Sequence, residues 1–137
     1  MADFSDFYND LMKDEGYKIT DDPTDRGGFT VAGISQKAHP TCPIFARIKV
    51  LGLKVGDKLP PSEIPFLKAF YKANYWDKCW CDEIDNQESA KSIANFAVNV
   101  GVGPAIKLAQ TALAVTVTGG MNQETLDALN NVNDFTL

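Results

Sequence analysis

Apolar residues recur along the chain at helical spacing in a series of stretches separated by turn formers. Phe4, Phe7, Tyr8, Leu11 and Met12 fall at the i, i+3, i+4, i+7 and i+8 positions of a helix that begins at Asp3 or Ser5 and stops at Gly16. At about 100° per residue Glu15 lies about 20° from Phe4, so a carboxylate continues the apolar stripe. Tyr17 to Thr20 and Phe29 to Ile34 carry β-branched and aromatic residues, and flank Asp22-Pro23 and Gly27-Gly28; this predicts a small two-stranded hairpin. A short helix is expected from Ser35 to His39, closed by Pro40. Thr41 to Leu59 has no clear period and reads as loop with at most one helical turn around Ala46 to Leu51. Pro60-Pro61-Ser62-Glu63 opens a helix to about Trp76, with Ile64, Leu67, Phe70, Tyr71 and Tyr75 inward.

Asn86 or Ser89 can cap the next helix, Glu88 to Val100, which is apolar nearly all round and so is expected to be central and buried. Gly101-Val102-Gly103-Pro104 closes it and starts another that runs to Leu113, with Ile106, Leu108, Ala109 and Leu113 inward. Gly119-Gly120 leads to Asn122, the N-cap of a last helix carrying Leu126, Leu129 and Val132. The sum is an α+β chain, mostly α, whose β element is the N-terminal hairpin. A single domain is expected over residues 1–137, with two lobes dividing near residue 85.

Composition narrows the function. No apolar run approaches a membrane span, and the N-terminus lacks the basic flank and apolar core of a signal peptide, so synthesis in the cytoplasm and no membrane insertion are expected. Thirteen Lys and Arg against eighteen acids, a net charge of −5, argue against nucleic acid as partner. The expected state is a monomer. Three cysteines, Cys42, Cys79 and Cys81, form no even framework of disulfides and read as small buried hydrophobes. With His39 they would supply one imidazole and three thiolates to a zinc ion. The single residue between Cys79 and Cys81 argues against that, and no metal or cofactor is expected.

Candidate chemistry gathers between Glu15 and Thr30. Glu15 sits in the last turn of its helix, at the negative end of the dipole. Apolar surroundings and the dipole both disfavour an ionised carboxylate, which suits a general acid working near neutrality. The competing reading is a solvated helix-end glutamate. The hairpin would bring Asp22, Asp25 and Thr30 to face Glu15 across a cleft, although Asp is also a common turn residue that bonds its own backbone.

Here the residues resemble a known family. Glu15-Gly16-Tyr17 followed by the D-P-x-D-x-G-G-x-T-x-x-G-I-S run from Asp22 to Ser35 is similar to the N-terminal signature of the glycoside hydrolase family 108 lysozymes, N-acetylmuramidases found among phage endolysins and wall-active secretion factors. Tyr75-Trp76 with Cys81-Asp82-Glu83-Ile84, and Ala97-Val98-Asn99-Val100-Gly101 with Ala105-Ile106-Lys107 and Gln110, resemble later parts of the same family. Val117 to Gly120 through Leu129 resembles its peptidoglycan-binding segment.

The resemblance implies a lysozyme-like α+β fold that cleaves the β-1,4 bond between N-acetylmuramic acid and N-acetylglucosamine in peptidoglycan glycan strands. Glu15 would be the general acid, Asp25 the base or electrostatic partner with Asp22 as substitute, and Thr30 the orienting hydroxyl. Gly28 would serve the turn and let a sugar approach the backbone. Independently of the resemblance, the rings of Tyr75, Trp76 and Trp80 suit a sugar's CH face, Trp80 first among them, against the competing reading of core aromatics at helical spacing, and Asn99 would be either structural glue or a contact to an acetamido group. The competing functions are a lytic transglycosylase and a non-catalytic wall-binding or secretion-accessory protein that keeps the fold.

Overall fold

The structure is a computed structural model that describes residues 1–22 and 28–137. Its elements run α1 (Phe4–Glu15), β1 (Ile19–Asp22), β2 (Gly28–Val31), β3 (Ile34–Ser35), α2 (Pro43–Val50), α3 (Ile64–Tyr71), α4 (Gln87–Val100), α5 (Val102–Leu113) and α6 (Gln123–Asn131). It is therefore mostly helical with one small antiparallel sheet. The backbone divides into two compact units, Asn9–Phe70 and Met1–Tyr8 with Tyr71–Leu137. The chain passes from one to the other after Tyr8 and returns after Phe70.

In the unit Asn9–Phe70 the sheet order is β1-β2-β3, with Ile19 opposite Val31 and Val31 opposite Ile34. These three side chains are fully buried. The third strand was not expected. It forms because Ala32 (φ +50) and Gly33 (φ +80) are both left-handed, the two-residue turn that matches the twist of paired strands. The outer edge of β1 is covered by the 56–59 segment: Ile19 N–H donates to Asp57 O at 2.8 Å, and Gly56 N–H donates back to Ile19 O at 2.8 Å.

The expected helix over Ser35 to His39 is absent. Ser35 is spent in β3, and only one turn follows, with His39 N–H donating to Ser35 O. A two-turn helix, α2, replaces the expected loop. Pro43 starts it, and Ile44, Phe45 and Ile48 form its buried side.

Pro61–Glu63 is a 3-10 turn that leads into α3, in which Leu67 is fully buried while Ile64 and Phe70 are half-buried. A charge is also enclosed in this unit. The Glu63 carboxylate is buried and accepts from Arg47 Nε at 2.7 Å and from Ser62 Oγ at 2.7 Å. Those two donors hold its carboxyl below the usual glutamate range.

In the other unit α3 passes into a π-turn, Lys72–Trp76, with Asp77 N–H donating to Lys72 O at 2.8 Å. The extra residue in that turn rotates Trp76, instead of Tyr75, onto the face of Tyr71. Trp76 and Tyr71 are buried, and Tyr75 is only half-buried. Trp76 stacks on Phe7 with ring centroids 5.4 Å apart and meets Phe4 edge-on at 5.8 Å.

Asn86 caps α4 by accepting from Ser89 N–H at 2.9 Å, and Asn122 caps α6 by accepting from Thr125 N–H at 2.9 Å. Helix α4 is buried on one side only, through Ser89, Ala90, Ile93, Ala94 and Ala97, so it is amphipathic and not the all-round core helix expected. On α5 the inward set is Ala105, Ile106, Ala109 and Gln110, while Leu108 is exposed. Gln110 is wholly buried. Its amide donates to Thr118 Oγ1, Gly120 O and Thr125 Oγ1, and its carbonyl accepts from Thr118 N–H at 2.8 Å and Gly119 N–H at 3.1 Å. One side chain thus ties the α5–α6 connection into the core.

Candidate active site

Gly16 ends α1 in the left-handed conformation (φ +69), and its N–H donates to Met12 O at 2.9 Å. Phe7, Tyr8, Leu11 and Met12 are buried as their spacing requires. Glu15, the last residue of the helix, is exposed. Its angular position is that of the stripe, but the expected apolar cover is missing, because a stripe fixes a direction and the packing partner fixes burial.

The sheet sorts the residues that follow. Side chains alternate along a strand, so the pairing of Thr20 with Thr30, of Asp22 with Gly28 and of Thr30 with Ser35 sets Thr20, Asp22, Gly28, Thr30 and Ser35 on one face. Ile19, Asp21, Phe29, Val31 and Ile34 take the other. Asp22 therefore shares its face with Thr30 and Asp21 does not. Thr30 is half-buried and its hydroxyl donates to Gly28 O at 3.1 Å, which leaves its oxygen free to accept. Asp25 and Gly27 lie outside the described residues.

Gly28 has φ +58, and a methyl group added there would meet Lys37 Cε at 3.2 Å and Nζ at 3.6 Å. The end of the Lys37 chain lies against this glycine and sets an ammonium group beside it. Lys37 is the residue that sequence reasoning missed at this site. Its only signal was membership of a loose run of cations around the hairpin. An open depression of about 410 Å3 is lined by Lys18 to Asp22 with Val55 and Gly56 along the outer edge of β1.

Of the remaining sequence candidates, Asn99, Trp76, Trp80, Cys79 and Cys81 sit in the unit Met1–Tyr8 with Tyr71–Leu137, and His39 and Cys42 in the unit Asn9–Phe70. Asn99 is exposed near the end of α4, so water serves it and the expected buried role as glue is absent. Trp76 is a core residue. Trp80 is half-buried at an open depression of about 340 Å3. Cys79 and Cys81 are buried. A hydrogen bond with Cys79, and then burial, push the Cys81 thiol far up, so it is a hydrophobe and not a thiolate. His39 packs edge-on against Phe70 at 4.8 Å. Among the described residues no group of three or more His, Cys, Asp or Glu is placed to hold a metal ion.

A helix-borne carboxylate followed directly by a three-stranded antiparallel sheet with a hydroxyl-bearing face, in an otherwise helical chain, has the organisation of a lysozyme-like α+β fold. Comparison with solved structures agrees: Brucella abortus SagA superposes with a TM-score of 0.68 at 24% identity, over 94% of this chain and 69% of that one. The sequence profile of the glycosyl hydrolase 108 family matches residues 8–101 of the 137, and the chain belongs to that family. Its class is thereby glycoside hydrolase, and peptidoglycan is the substrate that fits the family. No curated protein matches the chain.

Proposed function

We propose that this glycoside hydrolase cleaves the β-1,4 bond between N-acetylmuramic acid and N-acetylglucosamine in peptidoglycan, with Glu15 as general acid. The observation that carries the reading is the reach of the family match, which takes in α1 from Tyr8 to Glu15 and all three strands. In the proposed reaction Glu15 gives its proton to the glycosidic oxygen as the bond from that oxygen to the anomeric carbon breaks. A water oxygen bonds to that carbon, and the water's proton passes to the carboxylate of Asp22 or Asp25. Thr30 orients the water through its free lone pairs. The shared face of Asp22 and Thr30 supports Asp22 in the base role, and Asp25 is the alternative. Because Glu15 is exposed in the free protein, the bound glycan itself must supply the apolar cover that a proton donor needs.

Clearing of purified peptidoglycan tests this. Glu15→Gln is expected to lower the rate by at least about 100-fold, the scale of general acid catalysis. Equal rates would remove Glu15 from the role, and a wild type without lysis would leave a wall-binding protein. Asp22→Asn against Asp25→Asn ranks the two bases. Mass spectrometry of the products should find free reducing ends; 1,6-anhydro ends would replace hydrolysis by transglycosylation.

A further inference from the structure

Trp76 and Trp80 stand close in sequence and are treated oppositely. Trp76 is fully buried, stacks on Phe7, and its indole N–H donates to Asp82 Oδ1 at 2.8 Å. Trp80 is half-buried, and among the described residues its ring has no aromatic partner and its indole N–H no acceptor. Its backbone is left-handed (φ +54, ψ +36), a conformation that a bulky side chain rarely takes. Two hydrogen bonds hold it there: Trp80 N–H donates to Asp77 O, and Glu83 N–H donates to Trp80 O, each at 3.0 Å. A strained backbone that presents a large ring with an unspent donor suits a ligand contact better than a packing contact.

The depression that Trp80 lines, about 340 Å3, is at the small end of the ligand-pocket range and suits a single sugar ring. Its polar lining is divided. Asp77 is tied to Lys72 at 2.8 Å, and Asp82 holds the Trp76 indole and lies 3.8 Å from the same Lys72. Glu83 has no side-chain partner among the described residues. Gln123 donates one amide hydrogen to Asp127 at 2.7 Å, which leaves its carbonyl oxygen free. An indole face for the apolar CH side of a pyranose, an indole N–H for an acetamido oxygen, and the acceptors of Glu83 and Gln123 for hydroxyls are thus gathered at one opening. Three carboxylates against one ammonium leave this opening negative, which disfavours a ligand carboxylate.

We propose that Trp80, Glu83 and Gln123 form a saccharide subsite that takes an uncharged N-acetylhexosamine ring and rejects one bearing a carboxylate. The inference rests on the glycan substrate proposed above and adds to it a recognition element outside the hairpin.

The test uses the full chain carrying Glu15→Gln, so that binding is read without cleavage. A soluble N-acetylglucosamine oligomer is titrated against the same oligomer oxidised at C6 to a carboxylate, with nuclear magnetic resonance of the side-chain N–H groups as readout. The expected result is movement of the Trp80 indole and Gln123 amide signals with the Trp76 indole still, and binding of the oxidised oligomer weaker by about tenfold. Trp80→Asn, which keeps a residue tolerant of the left-handed backbone, should weaken binding by about tenfold. Glu83→Gln should narrow the gap between the two oligomers. A silent Trp80 signal, unchanged affinity in Trp80→Asn, or a gap that Glu83→Gln leaves untouched overturns the proposal. Hydrolysis by the unsubstituted chain without a Trp80 response sinks the subsite alone, whereas a Trp80 response without hydrolysis sinks only the catalytic reading.

Discussion

The two units bury polar groups in opposite ways. In the helical unit the enclosed polar side chains are neutral: Ser89, Gln110 and Thr125, each hydrogen-bonded. Among the described residues of the sheet-bearing unit the enclosed polar group is the Glu63 carboxylate, paired with an Arg47 whose side chain is 38% exposed. A neutral network keeps its strength at any pH at which the backbone survives, while a paired carboxylate is lost when it takes up a proton. One unit should therefore be indifferent to acid and the other sensitive to it. Both tryptophans belong to the helical unit, so their fluorescence follows that unit alone, and amide exchange in β1 and β2 follows the other.

The largest expected effect is on the helical unit. Trp76→Ala would empty a fully buried site stacked on Phe7, at a cost of about 4 kcal/mol in chemical denaturation. Next comes Gln110→Ala. It strips the acceptor from Thr118 N–H and Gly119 N–H, but Thr118 is exposed and water can reach it, so the cost is about 2 kcal/mol, equal at pH 7 and pH 4. A strong pH dependence of that loss would break the contrast between the units.

The smallest effect is the acid response of Glu63, because the half-exposed Arg47 is screened by water. The folded carboxyl is held below its ordinary value of 4.5, so the proton binds more weakly in the folded state. The stabilisation is fully present above that ordinary value and is lost as pH falls through the lowered one. Below about pH 4.5, exchange in β1 and β2 should quicken before tryptophan fluorescence moves, and Glu63→Gln should flatten that response. Simultaneous changes would mean that the two units unfold as one.

Local chemistry was legible where it needs no partner. Gly16, Asn86 and Asn122 each end or start a helix where the sequence places them, since a left-handed glycine or a capping amide acts within a few residues. Features that depend on a small count were misread. β3 follows from Ala32 accepting a positive φ, and α2 is too short for its apolar spacing to stand out from loop. The π-turn exchanges Tyr75 for Trp76 in the core by a single added residue, with no local signal.

By itself, then, the sequence determined the helical framework, the presence of a small β element after α1, and a family resemblance that the profile match bears out. Tertiary structure alone decided which of those faces are covered. Glu15 lies on the apolar stripe yet is exposed, Asn99 meets water, Asp22 rather than Asp21 shares a strand face with Thr30, and Glu63 finds Arg47 sixteen residues away. Periodicity is a property of one segment and fixes only the direction of a side chain. Burial, register and ion pairing belong to two segments at once, and they exist only when the chain has brought them together.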